Sequence, residues 1–184
     1  NFIENGGTMP SCLPGPTREA VRDLVRQAAA SLGVTRGVVK GDLVVSAGKP
    51  YVIELAARLS GGWFCTHEIP LNVGVDLVLA VIRLSLGLPV AASNLQPRYE
   101  QGVALRLLFP QPGRVIAIEG EQAARAMPGV AMVRIAVRPG DIVVQPTDSN
   151  ASAGMVIAVA EDRDEATRRA EAAIRTIRVR TEPV

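Results

Sequence analysis

Lys40, Asp42, Glu54 and Arg58, with the nearby Ser60-Gly61-Gly62 loop, are the residues of this chain whose types and spacing could do chemistry together. Two carboxylates on neighbouring segments suit Mg²⁺, a hard cation usually held by one or two protein carboxylates while substrate phosphates fill its other positions. Arg58 can place two parallel hydrogen bonds on a phosphate or a carboxylate. Gly61 and Gly62 let backbone come close to a ligand and offer N–H groups to an anion; a plain turn is the alternative. Trp63-Phe64-Cys65-Thr66-His67-Glu68 then holds the only tryptophan and the only histidine. A lone histidine is more often a hydrogen-bonded structural group than a catalyst, and closeness to the glycine pair is what recommends His67.

These side chains must be positioned by a hairpin. Val38–Val45 and Tyr51–Arg58 are rich in β-branched residues and are split by Ser46-Ala47-Gly48-Lys49-Pro50, the pattern of two antiparallel strands and a turn. Alternation sets Lys40, Asp42 and Val44 on one side, and Val52, Glu54, Ala56 and Arg58 against Tyr51, Ile53, Leu55 and Ala57. One side is then nearly all apolar and the other carries the charges. An odd-numbered loop keeps the charged sides together. A loop of Ser46-Ala47-Gly48 sets Lys40 opposite Glu54, whereas a loop of Ala47-Gly48-Lys49 sets Asp42 opposite Glu54. Either register gathers both carboxylates on one surface, where like charges need a positive partner. Lys40 or Arg58 can supply it as an ion pair, and Mg²⁺ can supply it as a ligand.

Gly37-Val-Val-Lys-Gly-Asp42, a hairpin, and then Val52-Ile-Glu-Leu-Ala-Ala-Arg-Leu-Ser-Gly-Gly62 resembles the C-terminal half of the ATP-grasp fold. That fold occurs in ATP-dependent carboxylate–amine or carboxylate–thiol ligases, and in relatives of carbamoyl-phosphate synthase and biotin carboxylase. The resemblance implies that Asp42 and Glu54 bind the Mg²⁺ (or Mn²⁺) ions bridging the ATP phosphates. It implies that Arg58 stabilises the transferring phosphoryl group or orients the acyl-phosphate bidentately, with Lys40 offsetting negative charge beside it. By the same resemblance Ser60, Gly61 and Gly62 bind a substrate carboxylate, and the loop holding His67 borders the acceptor substrate. An Asn is usual where this chain has Ala56, and a His is frequent where it has Lys40. The Lys-bearing strands and Gly-rich loop of the other ATP-grasp half are not visible, and no G-x-x-x-x-G-K-[ST] or strand-linked G-x-G-x-x-G replaces them.

The chain has 184 residues, 48% of them hydrophobic, enough for one domain or two small ones. Twenty Lys and Arg against eighteen Asp and Glu give a net charge of +2, too mild for a polyanion-binding protein. Aromatics at 3% leave few stacking platforms for single-stranded nucleic acid. Cys12 and Cys65 read as reduced thiols in a cytoplasmic protein, without a signal peptide. The apolar stretch from Val73 to Ala92 is interrupted by Asp76, Arg83 and Pro89, which predicts a buried helix instead of a membrane span.

In chain order, Phe2 to Gly7 reads as the end of a strand already in progress, implying a C-terminal fragment of a longer enzyme that alone does not turn over ATP. A helix capped by Thr17 follows, with Val21, Leu24, Val25, Ala28, Ala29 and Leu32 as the stripe that packs on the hairpin. Gly33 stops it. Leu77–Leu86 is a second helix, and polar Ala91–Gln101 marks a boundary. Beyond it, Gly102–Phe109 and Gly113–Glu119 predict a second hairpin. A short helix at Glu121–Met127, strands at Val130–Val137 and Met155–Ala160, a helix at Glu161–Ile174 and a last strand near Ile177–Val179 complete the pattern. The fold class expected is α+β, and the resemblance implies an ATP-grasp C-terminal subdomain with an antiparallel sheet and packed helices (residues 1–95), then a small β-rich cap with one long helix (residues 96–184).

The function implied is that of an ATP- and Mg²⁺-dependent ligase, which activates a carboxylate as an acyl-phosphate for attack by an amine or similar nucleophile. Its expected partners are small-molecule carboxylate and amine substrates, the remainder of its own enzyme and a second copy of itself, with no nucleic acid and no membrane. A non-catalytic ATP-grasp-like module for assembly or small-molecule binding is the alternative.

Overall fold

Residues 3–148 and 151–184 are described by a computed structural model of the chain. They divide into two compact units, Ser11–Tyr99 and the pairing of Asn1–Pro10 with Glu100–Val184. The division at 95/96 differs from this in assigning the N-terminal segment to the first unit. The physical reason is a strand pairing: β1 (Gly6–Met9) lies antiparallel to β4 (Gly102–Leu108), with Gly6 opposite Arg106 and Met9 opposite Val103. The strand expected from Phe2 to Gly7 thus begins later and runs further, and Phe2 itself lies outside the described residues.

The Ser11–Tyr99 unit opens with α1 (Gly15–Ser31). Pro14 is the N-cap and a proline fills the first turn, where its missing N–H costs nothing. The cap expected at Thr17 therefore lies three residues earlier, at Pro14. Val21, Leu24, Val25, Ala28 and Ala29 are half-buried, and the helix packs on β3 (Lys49–Ala56), the second strand of a hairpin with β2 (Lys40–Ser46). Leu32 falls off the stripe as an exposed C-cap. A π-helical turn at Phe64–Glu68 runs into α2 (Ile69–Val73), and α3 (Leu77–Ser85) follows. Asp76 caps α3 by accepting the Leu79 N–H at 2.8 Å. The expectation of a buried helix here is overturned, because Leu79 and Ile82 are each 51% exposed. Both side chains line an open cavity. Among the described residues no helix is long and apolar enough to cross a membrane.

In the other unit, β4 joins a sheet of order β1-β4-β8-β6, with β8 at Gly154–Ala160 and β6 at Val130–Ile135. A second sheet has the order β7-β5-β9, from Ile142–Val143, Gly113–Glu119 and Arg178–Glu182. The expected hairpin of Gly102–Phe109 with Gly113–Glu119 is therefore not formed, since these strands enter different sheets. Four residues with two prolines connect them, and chain proximity does not make them pair. The short helix α4 spans Glu121–Arg125. The long helix α5 (Arg163–Thr176) packs across β4 and β8. Ala166, Ala170 and Ala173 are fully buried on its inner face. Their small side chains bring the helix close to Ala104, Ala158 and Ala160 on one side and to Val133 and Val156 on the other.

Candidate functional site

The hairpin β2–β3 turns through Ala47 and Gly48, whose φ values of 50° and 76° are both positive. That is the backbone a tight two-residue hairpin turn demands, and Gly48 adopts it without a steric penalty. Ser46 then faces Lys49, and the even-numbered loop should throw the two charged sides apart. A β-bulge prevents this. Leu43 pairs with Val52 but Asp42 pairs with Glu54, so Ile53 is the extra residue and the register shifts by one. Asp42 and Glu54 end directly opposite each other, as one of the two expected registers has it, although by a different loop.

The bulge also corrects the expected faces. Leu43, Val45, Val52 and Leu55 are half-buried, whereas Val44, Tyr51 and Ile53 are exposed. Val52 thus turns inward together with Leu55, and Tyr51 and Ile53 leave the apolar side.

Lys40 sits opposite Ala56 and its ammonium reaches both acids, bonding Asp42 Oδ2 and lying 3.7 Å from Glu54 Oε1. The Lys40 side chain is 20% exposed, against 53% for Asp42 and 57% for Glu54, so the cation is held lower on the surface than the anions. The ion-pair alternative is therefore realised by Lys40 and not by Arg58. Arg58 is exposed, and its Nη1 donates only to the Leu59 carbonyl at 3.1 Å. Its guanidinium makes no ion pair among the described residues.

Ser60 is half-buried, while Gly61 and Gly62 are exposed with open space where a side chain would stand. The Gly61 carbonyl accepts the Phe64 N–H at 3.1 Å, which ties the loop to the π-helical turn. His67 lies in that turn. Its Nδ1 is 2.8 Å from Thr66 Oγ1, and its ring meets Trp63 edge-on with centroids 5.2 Å apart. Glu68 and Asn72 were not singled out from the sequence, yet both are buried and engaged with neighbours. Their four-residue spacing, one helical turn, is the signal that could have found them. A cavity of about 660 Å³ lies in the same unit, lined by residues including Thr66, Pro70, Asp76, Arg98 and Tyr99. Asp42, Glu54 and Arg58 do not line it.

Two opposed, accessible carboxylates fit a hard divalent cation. Among the described residues no group of three or more His, Cys, Asp and Glu could hold a metal alone. Further ligands would have to come from phosphate and water, as they usually do for Mg²⁺.

Residues 106–182 match the family model of the L-amino acid ligase C-terminal domain 2. The structure resembles that of an L-amino acid ligase from Bacillus licheniformis, with a TM-score of 0.84 and 22% identity over 99% of this chain and 45% of that one. An uncharacterized protein, y4rH, from Sinorhizobium fredii is 31% identical over 90% of this chain and 34% of its own length. Carnosine synthase 1 of Gallus gallus is 31% identical over 62% of this chain and 12% of its own. The chain thus spans about a third or less of the curated relatives it matches. The fold is thus that of the C-terminal region of ATP-grasp ligases, which this chain resembles along nearly its whole length. More particularly, its second half is the segment matched by the L-amino acid ligase domain.

Proposed function

We propose that the chain is the C-terminal part of a cytoplasmic ATP- and Mg²⁺-dependent ligase that joins a small-molecule carboxylate to an amine. The observation that carries this reading is Asp42 directly opposite Glu54 on the exposed face of the hairpin, four residues ahead of an arginine free of ion pairs. A carboxylate oxygen of the substrate attacks the γ-phosphorus of ATP, ADP leaves, and an acyl-phosphate results. The amine then attacks the acyl carbon, releases phosphate and loses a proton. When bound, Mg²⁺ neutralises phosphate oxygens and lowers the barrier electrostatically. Asp42 and Glu54 would hold it. Arg58 forks onto the phosphoryl oxygens, with a geometry that lysine cannot reproduce. The open backbone of Ser60, Gly61 and Gly62 receives the substrate carboxylate, and His67 borders the acceptor. The remaining part of the enzyme supplies the other side of the nucleotide site.

Glu54→Gln in the full-length enzyme tests this, because it removes a ligand charge and keeps the shape. Turnover should fall on the order of a hundredfold or more with folding preserved. Near-normal turnover removes Glu54 from the metal site. A second reading is favoured by Lys40 bridging both acids: a non-catalytic module whose carboxylates are spent on an internal ion pair.

A further inference from the structure

The cavity beside α3 brings together a cation, an anion and an apolar wall, none of them supplied by the hairpin. Its volume of about 660 Å³ falls within the range of small-molecule sites, about 300–1,000 Å³. Part of the lining is the Arg98-Tyr99 segment, which is pinned at both residues. The Arg98 N–H donates to the Val73 carbonyl at 2.9 Å, and the Tyr99 hydroxyl donates to the Pro70 carbonyl at 2.8 Å. Gly74, at φ 73°, lets that segment come close, since a Cβ there would stand 3.0 Å from Tyr99 Cε1. Leu79 and Ile82, three residues apart on α3 and each 51% exposed, add the apolar wall. The charges are unspent. The Arg98 guanidinium has no hydrogen-bonding or ionic partner among the described residues. Asp76 gives one oxygen to the Leu79 N–H at 2.8 Å, and its other oxygen accepts nothing among the described residues. Both side chains also border a narrower recess of about 70 Å³, where Arg83 already donates its Nε to the Pro89 carbonyl at 3.1 Å.

We propose that this cavity is a second small-molecule site, which takes a free α-amino acid with an apolar side chain. Its carboxylate forks onto Arg98, its ammonium meets the open oxygen of Asp76, and its side chain lies along Leu79 and Ile82. The mixed lining selects a zwitterion, because a bare anion would face Asp76 and a bare cation would face Arg98. Thr66, also in the lining, has its Oγ1 2.8 Å from His67 Nδ1, so an occupant sits one hydrogen bond from that ring. The site does not depend on what the hairpin binds.

The test is calorimetry on the full-length protein without nucleotide, using L-leucine as the probe beside L-leucinamide and N-acetyl-L-leucine, which each lack one of its charges. L-Leucine should bind, and each analogue should bind about tenfold more weakly or worse. Arg98→Met keeps an unbranched apolar stem without the charge, and Asp76→Ser removes the charge while keeping a residue that caps a helix. Each should weaken L-leucine by about tenfold or more, with circular dichroism establishing that the variants are folded. Asp42→Asn with Glu54→Gln should bind L-leucine as the wild type does. No L-leucine binding, equal binding of the three compounds, or an affinity indifferent to both Arg98→Met and Asp76→Ser overturns this inference and leaves the ligase reading intact. Loss of L-leucine binding in the folded hairpin variant overturns it too, since the amino acid would then sit at the hairpin.

Discussion

Arg58 is where the chemistry of single residues is most exposed to test. Its guanidinium touches only the Leu59 carbonyl, so replacing it removes no ion pair of the fold. Arg58→Lys should therefore leave stability within about 0.5 kcal/mol. It should lower kcat by roughly ten- to a hundredfold, because a point charge cannot make the bidentate contact. Denaturant melts beside steady-state kinetics on the full-length enzyme separate the two effects, and an unchanged kcat would take Arg58 out of the phosphoryl site. The residue types themselves were legible in the sequence: two acids, a lysine and an arginine at strand spacing. Which cation meets the acids was not, since Lys40 and Arg58 satisfy the same charge rule and only the ladder puts Lys40 between them.

At the scale of elements, the hairpin depends on Ile53. Strict alternation assigned Ile53 to the apolar side, but a single bulge reverses the faces beyond it, and an exposed isoleucine carries no sequence mark of a bulge. Ile53→Ser should accordingly change stability by less than about 0.5 kcal/mol, while Val52→Ser should cost at least about 1 kcal/mol. Equal costs in urea melts would restore the alternating arrangement. The start of α5 gives a second test at this scale. Asp162 accepts the Asp164 and Glu165 N–H groups at 2.9 and 2.8 Å. The Glu165 N–H above all, with the Asp164 N–H and the charges of Arg168 and Arg169 adding to it, holds its carboxyl below its ordinary value of 3.8. A carboxyl with a depressed folded pKa adds stability that is present above the unfolded value and lost as pH falls through the folded one. Thermal melts should therefore show the wild type losing its advantage over Asp162→Asn below about pH 4, close to the unfolded carboxyl's range. A difference that is constant from neutral to strongly acidic pH would contradict this.

For the whole molecule, strand and helix identities came largely from periodicity, and the α+β class with them. Partner choice did not. The strands beginning at Gly102 and Gly113 are consecutive and look like a hairpin, yet they enter separate sheets, and β1 crosses to a strand nearly a hundred residues later. No local pattern encodes such pairings, because what selects them is burial. The centre of that burial is β8, where Met155, Val156, Ile157 and Ala158 are nearly inaccessible between β4 and β6. Ile157→Ala should cost about 2–5 kcal/mol, with the spread set by how far the cavity collapses. A loss under about 1 kcal/mol in equilibrium unfolding would place the core elsewhere.

The most direct measurement is calorimetry of ATP binding to the full-length protein, with and without Mg²⁺, in the wild type and in the double variant Asp42→Asn with Glu54→Gln. Affinity that appears only with Mg²⁺ and disappears in the folded variant is the result predicted for acids opposed across the hairpin as a nucleotide–metal site. ATP affinity indifferent to Mg²⁺, absent altogether, or unaltered by the two substitutions would contradict it.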